Sequence, residues 1–61
     1  MQTEAKRQER IAALRQEMDS IHYANDLYWR QTAHSDAARA EFRRRQDRLD
    51  EVRSELANLR K

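Results

Sequence analysis

The sequence predicts an all-α protein: a coiled-coil-like antiparallel hairpin of two helices that associates with a second copy into a dimeric four-helix bundle. Three observations predict this fold class. The chain contains no glycine and no proline, so the residues that most often interrupt helices are absent. Apolar residues recur at alternating intervals of three and four in two separate series, which is the pattern of a heptad seam. The phase of this pattern changes near the middle of the chain, where a helix N-cap signal also falls.

The first helix is expected at about residues 8–32, after a short polar segment with the composition of a fraying end. Its apolar positions form one narrow stripe, in which Asn25 stands where an apolar residue is due. The seam residues of this helix are Ile11, Leu14, Met18, Ile21, Asn25 and Tyr28.

A turn is expected at about residues 33–35. Ser35 is a suitable N-cap, and Asp36 places a carboxylate in the first turn of the next helix, where the helix dipole stabilises it. His34 belongs to the residue types enriched at positive φ, which makes it the candidate for the corner itself. The alternative is one continuous coiled coil whose heptad phase shifts without a turn.

The second helix is expected at about residues 36–60. Its seam residues are Ala38, Phe42, Leu49, Val52, Leu56 and Leu59, with Arg45 in the vacant position. A hairpin requires a constant antiparallel register, and one such register pairs Tyr28 with Ala38, Asn25 with Phe42, Ile21 with Arg45, Met18 with Leu49, Leu14 with Val52, and Ile11 with Leu56. Its centre coincides with the predicted turn.

The polar seam residues are expected to fix this alignment, since sliding the helices would bury a polar group without a partner. On the sequence alone, Asn25→Leu should raise the melting temperature and broaden the distribution of oligomeric states. Arg45→Leu should stabilise the protein and broaden the distribution of oligomeric states less, because the arginine can extend past the edge of the seam.

Residues 1–61 form a single hairpin domain with a thin core, because a chain of this length buries only about 60% of the surface that it exposes when unfolded. We therefore expect a homo-oligomer, with a dimer favoured. Three apolar residues lie outside the seam and form the candidate partner interface: Tyr23, Leu27 and Trp29. The alternative is that these side chains lie at the surface without a partner.

No catalytic or ligand-binding motif is present, and we expect a non-enzymatic interaction protein that acts by self-association or by docking to a protein partner, without catalytic, cofactor or metal sites. His22 is the best candidate metal ligand, with Asp19 and Asp26 at helical spacing, but these carboxylates lie on an outer flank. The string His-Ser-Asp at residues 34–36 contains the residue types of a catalytic triad, yet adjacent residues do not readily orient one another.

The charge pattern leaves nucleic acid as the less favoured partner. The net charge is +2, with 13 basic against 11 acidic residues. The run Arg43-Arg44-Arg45 suggests a basic helical nucleic-acid adaptor, but Asp47 and Asp50 interrupt the basic surface. No stretch approaches the roughly 20 apolar residues of a membrane span, so no membrane partner is expected. The cysteine-free composition favours the cytoplasm.

The length and the paired seams resemble those of the small plasmid copy-number proteins, helical hairpins that bind RNA and dimerise into four-helix bundles. This resemblance is one of length and pattern and includes no motif. It therefore implies an architecture and leaves the function open.

Overall fold

The computed structural model describes residues 2–60 as two helices packed against each other. Helix α1 spans Gln2–Arg30 and helix α2 spans Asp36–Leu59. The hairpin is a rod with dimensions of 50 × 15 × 15 Å. The all-helical class and the packing of two helices are thereby confirmed.

Helix α1 begins about six residues earlier than the sequence indicated and ends at Arg30. Its first turns are held by Glu4, whose Oε1 accepts hydrogen bonds from Arg7 Nη2 at 3.1 Å and from Gln8 Nε2 at 3.0 Å. Such contacts at helical spacing stabilise a polar helix, and a carboxylate near the N-terminus also interacts favourably with the helix dipole. The polar composition of this segment is therefore no obstacle to helix formation.

The chain reverses through residues 31–35, a longer link than the expected turn. No residue in the described part of the chain has a positive φ, so the expectation that His34 forms a left-handed corner is wrong. The five residues of the link provide enough length to reverse the chain without such a residue. His34 instead stacks on Tyr28, with 3.7 Å between ring centroids and 6° between planes.

Ser35 is the N-cap of α2, as the sequence predicted. Its backbone is extended, with φ −70° and ψ 165°, and its Oγ accepts a hydrogen bond from Ala38 N at 3.1 Å. The Ser35 carbonyl accepts the first helical bond, from Arg39 N at 3.0 Å. Because the cap satisfies a backbone N–H that the helix leaves unpaired, it fixes where α2 begins.

The seam lies between the two helices. Leu14 and Val52 have no exposed surface and form its centre with Leu56. The buried seam residues are Leu14, Ile21, Asn25, Leu49, Val52 and Leu56, and the partly buried ones are Ile11, Met18, Tyr28, Ala38, Phe42 and Leu59. Full burial of one such aliphatic side chain contributes about 1.5–3 kcal/mol. With so few fully buried residues, the hairpin has a narrow core.

Side-chain pairing near the corner differs from the expected register. Tyr28 stacks on Phe42 at 4.5 Å between centroids, where Ala38 was expected. Asn25 Oδ1 accepts a hydrogen bond from Arg45 Nε at 2.9 Å, where Phe42 was expected. Helical side chains lean towards the N-terminus of their own helix, which for α2 is the corner. The long side chains of Phe42 and Arg45 therefore lean towards the corner. They contact Tyr28 and Asn25, each of which lies one seam position closer to the corner than the expected partner.

At the open end of the hairpin, Arg7 connects α1 to α2. Its Nη1 donates a hydrogen bond to the carbonyl oxygen of Leu59 at 2.6 Å. The last carbonyls of a helix lack partners within the helix, and a cation beside them also interacts favourably with the helix dipole. Arg7 thus links the first turns of α1 to the end of α2.

Candidate functional site

The two sides of the seam differ in charge, and the first side holds ion pairs between the helices. Arg10 donates two hydrogen bonds to the carboxylate of Glu55, one of them from Nη2 to Oε1 at 2.9 Å. Arg48 likewise donates two hydrogen bonds to the carboxylate of Glu17, one of them from Nη2 to Oε1 at 2.8 Å. It also donates a hydrogen bond to Glu51 at 3.1 Å. We call these five residues the ionic flank. Bidentate pairs of this kind favour one alignment of the two helices.

The ionic flank shifts the pKa of its own groups. The hydrogen bond from Arg48 holds the pKa of Glu17 below its usual range, and the hydrogen bond from Arg10 does the same for Glu55. The same hydrogen bonds raise the pKa of both arginines. Because the side chains of Glu17 and Arg48 each remain 38% exposed, water screens these pairs and their contribution to stability is modest.

The opposite side of the seam carries no acidic residue at the positions that border it. These positions repeat every seven residues, and we call them the cationic flank: Arg15, His22 and Trp29 on α1, and Arg39, Gln46, Arg53 and Arg60 on α2. Arg15, Arg53 and Arg60 are exposed, and none of the three forms an ion pair with a carboxylate of residues 2–60. Their charge is therefore available to a ligand.

A groove of about 340 Å³ opens on the cationic flank, beside the last turns of α2. Its apolar lining consists of Met18, Leu56 and Ala57, and its polar lining consists of His22, Arg53 and Arg60. Leu56 is 6% exposed and belongs to the core, against which Met18 packs. The groove thus joins an apolar floor to a cationic rim.

An aromatic cluster covers the corner. Tyr28 lies parallel to the rings of both His34 and Phe42. Trp29 contacts Tyr28 and Phe42 edge-on, with centroid distances of 5.1 and 5.3 Å. The guanidinium carbon of Arg45 lies 5.9 Å from the Phe42 centroid, within the range of a cation–π contact. One side of the Trp29 ring is therefore engaged within the hairpin.

The three residues predicted as a partner interface do not form one patch. Tyr23, Leu27 and Trp29 are 66%, 42% and 67% exposed. At about 100° per residue, however, Trp29 projects about 120° away from Tyr23 around α1. Tyr23 and Leu27 lie on the side of α1 that faces away from α2, whereas Trp29 belongs to the cationic flank and the corner.

The outward side of α1 carries a second heptad series, which the sequence interpretation missed. We call it the neutral stripe: Ala13, Gln16, Ser20, Tyr23 and Leu27, with Ala24 beside them. The intervals are three, four, three and four, and the stripe lies within a sector of about 100°. It contains no charged residue in a chain that is 39% charged. Every residue of the stripe except Ala24 is exposed. Charge depletion at heptad spacing was the signal available in the sequence.

The metal candidates of the sequence are not brought together in the part of the chain that the structure describes. No group of three or more His, Asp or Glu side chains within residues 2–60 is arranged to hold a metal ion, including the set around His22. The Ser35 Oγ, from the string His-Ser-Asp, accepts the capping hydrogen bond from Ala38 N. Neither helix, over these same residues, has the length and apolarity needed to cross a membrane.

Comparison with known proteins leaves the geometry as the sole basis for a functional argument. No protein-family model, curated protein or solved structure matches the chain significantly.

Proposed function

We propose that this protein is a non-enzymatic helical interaction module that self-associates through the neutral stripe of α1. The observation that supports the proposal is a second, uncharged heptad series on the exposed side of a helix that already has one buried seam. Its apolar members Ala13, Tyr23 and Leu27 are exposed, and exposed apolar residues on one side of a helix are suited to packing against another helix.

The neutral stripe is self-complementary when two α1 helices pack antiparallel about a two-fold axis at Ser20. Leu27 then faces Ala13 of the second copy, and Gln16 faces its Ala24. In these two layers a longer side chain meets alanine, and the Ser20 residues of the two copies meet at the centre, while Tyr23 lies at the level of Glu17 of the second copy. Small residues at the crossing allow two helices to approach closely, and one patch serving both partners is what a two-fold dimer requires.

This arrangement specifies the four-helix assembly. The two α1 helices lie inside and the two α2 helices lie outside, because the outward side of α2 bears exposed charges such as Arg43, Asp47 and Asp50. The interface is a single helix–helix contact, and the proposed dissociation constant is therefore on the order of micromolar. The compartment we assign is the cytoplasm, on composition alone.

The test is sedimentation equilibrium on the wild type, Leu27→Glu and Ser54→Glu. Both substitutions add one negative charge to an exposed helical position, but only the first lies in the neutral stripe. We expect a reversible dimer for the wild type and Ser54→Glu, and a monomer for Leu27→Glu with unchanged helical content by circular dichroism. A wild-type monomer at millimolar concentration, or a Leu27→Glu dimer of unchanged affinity, would overturn the proposal.

A further inference from the structure

We propose that the groove on the cationic flank is a docking site for an acidic amphipathic helix of a partner protein. The groove lies beside the seam, whereas the neutral stripe lies on the far side of α1. The two surfaces are therefore available at the same time, and this inference does not depend on self-association.

The floor of the groove supplies apolar contact. Met18 and Ala57 offer accessible apolar surface on either side of the buried Leu56. The volume of about 340 Å³ is at the lower end of the range of about 300–1,000 Å³ typical of ligand pockets. It accommodates a few side chains from one face of a helix, which is how amphipathic helices bind grooves.

The rim of the groove supplies positive charge in the register of a helix. Arg53 and Arg60 are seven residues apart, a separation of about 10.5 Å along α2 at 1.5 Å per residue. Acidic residues seven apart on a partner helix have the same spacing, so one face of that helix can place carboxylates near both guanidinium groups. In contrast with Arg10 and Arg48, which are held by the ionic flank, these arginines have no carboxylate partner within residues 2–60.

An acidic helix fits this groove better than a nucleic acid does. Single-stranded nucleic acids are held by closely spaced cations together with aromatic rings on which bases stack. The lining of the groove contains no Phe, Tyr or Trp, and Trp29 lies about 10.5 Å beyond His22 along α1, towards the corner. Charge complementarity and the apolar floor therefore favour a protein segment.

The experiment measures binding of a fluorescein-labelled peptide of about 16 residues, long enough to form a helix, by fluorescence anisotropy. The peptide has leucines at intervals of three and four and glutamates in heptad register beside them. Its control carries lysine at each glutamate position. We expect the acidic peptide to bind and the basic peptide not to bind.

The variant Arg53→Gln/Arg60→Gln should weaken binding of the acidic peptide by about tenfold, the combined effect of two exposed ion pairs. The matched control, Arg30→Gln/Arg43→Gln, removes the same charge from exposed positions outside the cationic flank and should leave affinity within about twofold. Met18→Gln, which makes the floor polar, should also weaken binding.

Three outcomes would overturn the proposal. The first is equal loss of affinity in both double variants, which would indicate a response to net charge alone. The second is binding of single-stranded polyuridylate, but not of the acidic peptide, in a manner that depends on Arg53 and Arg60. The third is a change in the monomer–dimer equilibrium of Arg53→Gln/Arg60→Gln without peptide binding, which would assign the groove to a second copy of this chain.

Discussion

Asn25 illustrates how this seam accommodates a polar residue. It is 8% exposed, yet its Oδ1 accepts a hydrogen bond from Arg45 Nε at 2.9 Å. Arg45 also lies over the ring of Phe42. The two polar residues of the seam, one from each helix, are therefore hydrogen-bond partners. Arg45 supplies the donor and Asn25 supplies the acceptor.

This pairing reverses the expected effect of Asn25→Leu. The substitution removes the acceptor of the partly buried Arg45 Nε–H, and a donor that is fully buried without an acceptor costs about 1–3 kcal/mol. We predict that Asn25→Leu lowers the free energy of unfolding by about 1–2 kcal/mol. The double variant Asn25→Leu/Arg45→Leu should return to within about 1 kcal/mol of the wild type or exceed it, because apolar replacement of both partners removes the unsatisfied group.

Urea denaturation followed by circular dichroism, at one fixed protein concentration, measures these differences through a double-mutant cycle. Independent effects of the two substitutions would show that the hydrogen bond contributes nothing. A stabilised Asn25→Leu single variant would restore the expectation drawn from the sequence, in which Asn25 has no partner.

The N-cap provides a second prediction for a single residue. Ser35→Ala removes the acceptor of the Ala38 N–H and should lower the free energy of unfolding by about 0.5–2 kcal/mol. Ser35→Asp retains an acceptor and should be close to the wild type. Chemical denaturation distinguishes the two variants, and equal stability of Ser35→Ala and Ser35→Asp would mean that the cap does not stabilise α2.

Residue-level features differed in how well the sequence predicted them. The Ser35 cap could be predicted because capping depends on residues within one turn. The partnership of Asn25 with Arg45 could not, because it depends on how far long side chains lean along each helix in the assembled hairpin. The stacking of His34 on Tyr28 was missed for the same reason.

At the scale of the helices, α1 and α2 have different surfaces. Helix α1 carries both a buried seam and the neutral stripe, whereas the outward side of α2 is charged. The seams were predictable from their 3-4 spacing. The neutral stripe was missed because several of its members are small or polar, and only the absence of charge makes them stand out. The groove required the structure, since its lining comes from both helices.

The ionic flank predicts how the contact between the helices responds to acid. The pKa values of Glu17 and Glu55 are lower in the folded protein than their ordinary value, so the folded state favours the ionised form. Their stabilising contribution is fully present above the ordinary glutamate pKa of about 4.3, and it is lost as the pH falls through the lowered folded pKa. The melting temperature should therefore decrease across this range.

The variant Glu17→Gln/Glu55→Gln isolates this effect from those of the other carboxylates. Its melting temperature should be below that of the wild type at pH 7, and the difference should shrink as the pH falls through the lowered folded pKa of the two glutamates, because their carboxylates then become protonated. A difference that stays constant with pH would show that the ion pairs do not contribute to the acid response.

At the scale of the whole molecule, the core is narrow, so the proposed association should add to the stability of the hairpin. A ligand that binds only the folded state raises its stability by mass action, and in the proposed dimer the second copy is such a ligand. We predict that the melting temperature of the wild type rises with protein concentration, while that of Leu27→Glu stays constant. Thermal melts across a hundredfold range of concentration test this, and parallel behaviour of the two proteins would rule out the neutral stripe as the interface.

The hairpin itself could be predicted from the sequence, because one chain contains both seams and the signal for the corner. For the proposed association, the sequence indicated only a general need for further burial. The surface proposed for it was not predictable in full, since Tyr23 and Leu27 were grouped with Trp29, which the fold directs elsewhere.

The link between Arg7 and the carbonyl of Leu59 has a mechanical consequence. A force that pulls the two ends of the hairpin apart acts first on this contact, next on Arg10 and Glu55, and then on Glu17 and Arg48. Each contact bears the load alone before the next one is loaded, so the two helices separate progressively from the open end. A force applied along the rod, from the corner on one helix to the open end on the other, instead loads all layers together. The same contacts therefore resist sliding of the helices far better than they resist peeling.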